Sequence, residues 1–234
     1  MNRHAQAALL FLLGATLLHA GTTDLYLRYV KAGLRPLLLL SGAVLIAAAV
    51  ATVWYERRSA RTAGHHHEPR VSWLLALPVL ALILVAPPAL GSYSAMHAGT
   101  ALQKPFGFPE LSAEGPLRLG VADYAGRAVY DDGRSLRGRQ IKVTGFVALD
   151  RAGEPYLVRM ALNCCAADAQ PVKIALTGRI PPVLQPDTWL ELSGTYTPKR
   201  TRDPVNNAPI PYFRVTDAKP VPTPRDPYDE TWNS

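Results

Sequence analysis

The sequence predicts an α-helical transmembrane region followed by a small all-β barrel of the OB type, in one chain of 234 residues. Three observations lead there. Long apolar runs fill residues 1–90 and vanish afterwards. Five short segments of alternating pattern, separated by turn residues, follow between 140 and 218. The charge divides with the hydropathy: residues 1–100 carry eight Lys/Arg against three acids, and residues 101–234 carry seventeen against fifteen. A surface built for phosphate backbones would concentrate its excess on the soluble part, so nucleic acid is not an expected partner. The positive charge belongs with a membrane.

Three helices are predicted in the membrane region, residues 1–91. The first covers 5–23, with Gln6, Thr16 and His19 interrupting an apolar run. A cleaved signal peptide is the competing reading, because Arg3 and His4 supply a basic start. The bulky Leu18 spoils the small-residue cleavage pattern and favours an uncleaved helix. Residues 24–31 mix Tyr, Leu, Arg and Lys, side chains that suit the headgroup layer, and read as a connector along the bilayer surface. The second span, 37–55, closes on Trp54-Tyr55 and is followed by Arg57-Arg58. The third, 73–90, opens on Trp73 and carries Pro78 as an expected kink. Short basic loops face the cytoplasm. The cluster Arg57-Arg58-x-x-Arg61 therefore puts the loop at 56–72 inside and residues 91–234 outside, in a multi-pass protein of the cell membrane.

Residues 92–115 read as a linker, and 116–220 as the barrel. A short helix is expected over 123–132, ahead of Gly133. Strands are expected over 140–149, 156–162, 171–177, 189–197 and 212–218, from their period-two alternation and the Gly, Pro, Asn and Asp between them. Five short strands in so compact a stretch suit an OB-like barrel. The Pro-rich residues 221–234 read as a disordered tail.

The only two cysteines, Cys164 and Cys165, are adjacent, at the end of the second predicted strand. Neighbouring Cα atoms about 3.8 Å apart lie below the usual disulfide range. On a regular strand the two thiols would point to opposite faces; they converge only if the strand ends or bulges there. Two small buried side chains are one reading, since free Cys is among the most buried residue types. A soft-metal site of Cys164, Cys165 and Asp168, taking zinc or copper(I), is a second. It is one ligand short of a closed zinc tetrahedron. A redox dithiol is a third, and lacks the Cys-x-x-Cys spacing. His19, ionisable near the outer end of the first span, is a membrane-embedded candidate; an interfacial histidine bonded to a neighbouring helix is its plainer alternative. His65-His66-His67 reads as a solvated loop run. No phosphate loop, nucleophile elbow or metalloprotease helix is present, so no enzymatic activity is expected.

Two stretches carry a family resemblance. His19-Ala20-Gly21, then Leu25-Tyr26-Leu27 and Tyr29, resembles the first helix and connector of an uncharacterised bacterial family. These are small membrane proteins described as permease subunits, typically encoded beside a large multi-span permease. Met160-x-x-x-Cys164-Cys165-Ala166-Ala167-Asp168-Ala169-Gln170, followed by Pro171-Val172, is similar to that family's signature in its soluble domain. The resemblance implies a multi-span permease as partner and a link to metal-ion homeostasis. The expectation is a non-enzymatic accessory subunit presenting an extracytoplasmic domain to a transporter. The alternative is a membrane-anchored metal-binding or metal-delivery protein.

Overall fold

A computed structural model describes residues 3–59, 76–85 and 88–230. The chain divides into two compact units, Met1–Pro88 and Ala89–Ser234.

In the first unit, helix α1 (Arg3–Thr22) and helix α2 (Arg35–Ser59) are joined by two short 3-10 turns. Both helices are long and apolar enough to cross a membrane. At 1.5 Å per residue, 20 residues reach about 30 Å, the thickness of a hydrocarbon core. The face that α1 buries is made of small residues: Ala5, Ala7, Gly14 and Gly21. The two backbones approach most closely at Gly14 and Gly42. A Cβ on Gly14 would lie 2.9 Å from the Gly42 carbonyl, and one on Gly42 would lie 3.0 Å from the Gly14 carbonyl. Such close approach is how helices pack where water supplies no driving force. Arg35 closes the hairpin by donating from Nε to the Gly21 carbonyl at 2.8 Å.

The expected third span is not shown. Among the described residues its place is taken by α3 (Ala76–Leu84), a helix of nine residues, about 14 Å long. Pro78, expected to kink a span, sits in the first turn of α3, where its missing N–H costs nothing. The His65-His66-His67 run and most of the basic loop lie outside the described residues.

The second unit contains α4 (Ser92–His97), β1 (Leu117–Leu119), α5 (Val121–Tyr130), β2 (Ile141–Leu149), β3 (Pro155–Leu162), β4 (Gln170–Gly178), β5 (Trp189–Arg202), β6 (Pro209–Pro220) and β7 (Tyr228–Glu230). Five of these strands close into a barrel: β2 pairs with β5, β5 with β6, β6 with β4, β4 with β3, and β3 returns to β2. The pairs are antiparallel except β4 with β6, which is parallel. This order is consistent with an OB-like barrel. The alternation in β2 sends Ile141, Val143 and Val147 inward to meet Leu157, Ile174, Leu192 and Phe213. Helix α5 seals the core with Val121, Tyr124, Ala125 and Ala128. Gly194 marks the bulge where β5 bends against β6; a Cβ added there would run into the Arg214 carbonyl and the Phe213 ring, so there is no room for a side chain.

The outer face of the barrel is apolar too, and here the structure departs from expectation. Phe146, Ala148, Tyr156, Val158, Met160, Leu162 and Trp189 form a second buried cluster with Ala95 and Tyr228, against which Leu90 and Met96 pack. Residues 92–115 are therefore not a free linker. Nor is 221–234 wholly a tail, since β7 pairs in parallel with β3 at Met160, Ala161 and Leu162. Buried charges hold these segments down. Lys173 Nζ meets Asp203 Oδ2 at 2.8 Å and the Ala98 carbonyl at 2.7 Å, while the Thr100 N–H donates to the same carboxylate oxygen. Arg127 donates to Asp123 and to the Pro109 carbonyl beneath Phe108. Arg159 donates to Asp229 at 3.0 Å and to the Tyr228 carbonyl.

Candidate metal site

The candidate site is built where β3 runs out. Its last pairing with β4 is Ala161 opposite Gln170, so residues 163–169 must turn the chain within a short loop. A 3-10 turn at Ala166–Asp168 does this, with the Asp168 N–H donating to the Cys165 carbonyl at 3.0 Å. The Asp168 side chain then reaches back. Its Oδ1 accepts the Asn163 N–H at 2.9 Å and its Oδ2 the Cys164 N–H at 2.8 Å. One carboxylate thus clasps two successive backbone amides and holds the chain off the strand's path.

The consequence is chemical. Released from alternation, the two sulfurs converge to 3.6 Å instead of pointing to opposite faces. Both cysteines are free; Cys164 is exposed and Cys165 half-buried, so the reading as two buried core thiols is overturned. The donor atoms of Cys164, Cys165 and Asp168 all lie within 4.8 Å of one another. Among the described residues this is where three metal-capable side chains gather. The electrostatics follow from the clasp. Hydrogen bonding to Asp168, and secondly to Cys165, favours the protonated Cys164 thiol and pushes it up to about 12. Burial works to raise the Asp168 carboxyl. Hydrogen bonds from the Cys164 thiol and from the N–H groups of Asn163, Cys164 and Cys165 outweigh that and hold it below the usual range.

The segment that carries this loop can be compared with known families. The DUF1980 C-terminal domain matches residues 108–229, more than half of the chain. The chain belongs to that family. The matched stretch contains the whole barrel and the Cys164-Cys165 loop, and its ends fall on packed residues. Phe108 lies under the Arg127 guanidinium and Asp229 pairs with Arg159. The DUF1980 C-terminal domain thus takes in part of the predicted linker and the strand β7 beyond the predicted barrel. The second resemblance motif, 160–172, falls inside the match; the first, 19–29, lies outside it. No curated protein and no solved structure matches the chain.

His19 belongs to the other unit, exposed in the last turn of α1, where its carbonyl accepts the Thr22 and Thr23 hydroxyls. The residues that sequence reasoning missed are Arg159 and Asp229, which lock β7 along the strand leading into the cysteine loop. Their one signal was Asp229 with Tyr228 in an otherwise Pro-rich stretch. Asp168, an expected ligand, shapes the loop and also keeps a carboxylate oxygen within 4.8 Å of both sulfurs.

Proposed function

We propose that this chain is a membrane-anchored metal-binding protein whose barrel domain captures a soft metal ion at Cys164 and Cys165. The observation that carries this is the 3.6 Å approach of two free thiols on an accessible loop, with the Asp168 carboxylate beside them. Thiolates select zinc and copper(I) over hard cations. A redox dithiol finds less support, since the adjacent pair lacks the Cys-x-x-Cys spacing of dithiol redox motifs. Anchoring is supported by α1 and α2, whose apolar windows are only 22% and 11% buried, far less than the core helices of a soluble protein. Arg57 and Arg58 at the end of α2 support a cytoplasmic position for that end, from which a barrel outside the cell needs one further crossing. The test is metal stoichiometry of the detergent-purified full-length protein under reducing conditions. It should take up zinc or copper(I) near one per chain, and Cys164→Ser with Cys165→Ser should abolish uptake. Wild-type protein that stays metal-free in excess metal refutes the reading.

A second reading adds to the first: a non-enzymatic accessory subunit of a multi-span permease, presenting the barrel to the transporter. What favours it is α2, which leaves Leu37, Leu40, Val44 and Val50 bare on its surface, together with the permease-subunit resemblance of the cysteine motif. Affinity purification of the tagged protein from native membranes should recover a multi-span permease. Recovery of no membrane partner counts against it.

A further inference from the structure

We infer that Cys164 and Cys165 form one edge of a tetrahedral zinc-class site that stays open on its other side, so that the ion is passed on by ligand exchange. This rests on the metal-binding reading and narrows it to an ion geometry and a mode of use. The argument is metric. Two thiolates on adjacent corners of a zinc tetrahedron, each about 2.3 Å from the metal, stand about 3.8 Å apart. The two sulfurs here stand 3.6 Å apart, so the edge is already formed to within a small rotation of either side chain. Two sulfurs on opposite sides of one linear ion at the same bond length would stand about 4.6 Å apart. Adjacent residues tied by one clasp are poorly placed to open that far.

The open side follows from the loop around the pair. Asp168 has both carboxylate oxygens engaged by backbone N–H groups. While it clasps them, it can offer an ion only a lone pair that those bonds leave over. The neighbouring side chains in sequence, Asn163, Ala166 and Ala167, include no strong ligand, and Asn163, Cys164 and Ala167 are exposed. At least one coordination position, and a second where Asp168 keeps to its clasp, is therefore left to water or to an incoming partner that brings its own His, Cys or carboxylate donors. Closed four-ligand sites store structural zinc, whereas open positions admit exchange. As the ion binds, each thiol forms a sulfur–metal bond and gives its proton to the medium. Two protons leave per ion, no electron moves, and hand-over reverses the step as the acceptor's donors replace the thiolates.

The experiment uses full-length protein in detergent with its thiols reduced, and cobalt(II) as the optical probe for a tetrahedral ion. Expected are one cobalt per chain, sulfur-to-metal absorption of two thiolates, and displacement of the cobalt by zinc. Cys164→Ser or Cys165→Ser alone should remove at least half of that absorption. Release to a chelator should quicken about tenfold when the chelator is raised tenfold, because the chelator attacks an open position. Absorption of four thiolates with two chains per ion, or a release rate indifferent to chelator, overturns the open edge while leaving metal binding intact. Copper(I) uptake without cobalt or zinc uptake overturns the tetrahedral geometry alone. No uptake of any of these ions sinks the metal-binding reading itself.

Discussion

A carboxylate that accepts backbone N–H groups shapes its loop and also sets the chemistry of the neighbouring thiol. With Cys164 pushed up to about 12, its alkylation by iodoacetamide should be slower at pH 7 than that of an ordinary thiol near 8.5, and should climb with pH beyond 10 without levelling. Asp168→Asn removes the negative charge, and each unit by which the thiol falls raises its thiolate fraction about tenfold. Fragmentation mass spectrometry of the 160–173 peptide, which separates Cys164 from Cys165, would follow both; a plateau near pH 7 at Cys164 in the wild type would contradict the raised thiol. The buried pair makes a second prediction at this scale. Burial alone would raise the Asp203 carboxyl, but the Lys173 ammonium and the Val205 and Thr100 N–H groups outweigh it and hold it low. The folded domain therefore binds this proton less readily than the unfolded chain. The pair's stabilisation is complete above the ordinary carboxylate range, about pH 4, and is lost as pH falls through the lowered value. Asp203→Ala should cost about 3–5 kcal/mol in denaturant unfolding at neutral pH, because it strands the Lys173 ammonium in the interior.

The elements explain how far the sequence could be read. Period-two alternation gives five strands: three match β2, β3 and β4 to within one residue at each end, while β5 runs on to Arg202 and β6 spans Pro209–Pro220, longer than expected. The same strands carried a second message. Phe146, Ala148, Tyr156, Val158, Met160 and Leu162 lie opposite the inward set, and a strand apolar on both faces is covered on both. What covers it could not be read locally, because α4 and β7 come from opposite ends of the domain and look like linker and tail by composition. The candidate site divides in the same way. Adjacency of the cysteines was visible, but their convergence depends on where β3 stops and on which amides Asp168 reaches. A fragment comparison checks the packing. Residues 89–230 should unfold cooperatively as a monomer. Residues 116–220 lack Leu90, Ala95, Met96 and Tyr228, as well as the Ala98 and Thr100 contacts to the buried pair. That shorter fragment should bind the dye ANS and aggregate. Equal stability of the two in urea would show that the outer cluster contributes nothing.

At the scale of the whole molecule, the proposed work needs the thiol pair on a defined side of a membrane. The chain carries its own reporter for this, since both of its cysteines lie in the barrel domain and none in the helices. Cys164 is exposed, so a maleimide can reach it without unfolding the domain. Helices α1 and α2 are joined by residues 23–34, and Arg35 donates back to the Gly21 carbonyl, which makes a hairpin with both outer ends on one side. Basic residues favour the cytoplasmic side, so the proposed reading puts the Arg57-Arg58 end there. The hairpin alone would then return the chain to the cytoplasm, so an external barrel requires one further crossing between residue 59 and residue 89. That crossing must include α3, whose nine helical residues are too few by themselves. On intact cells at pH 8, an impermeant maleimide should therefore label the wild-type protein, and Cys164→Ser with Cys165→Ser should abolish the signal. Labelling only after the membrane is made permeable would put the barrel inside. It would also move metal capture to the cytoplasmic face.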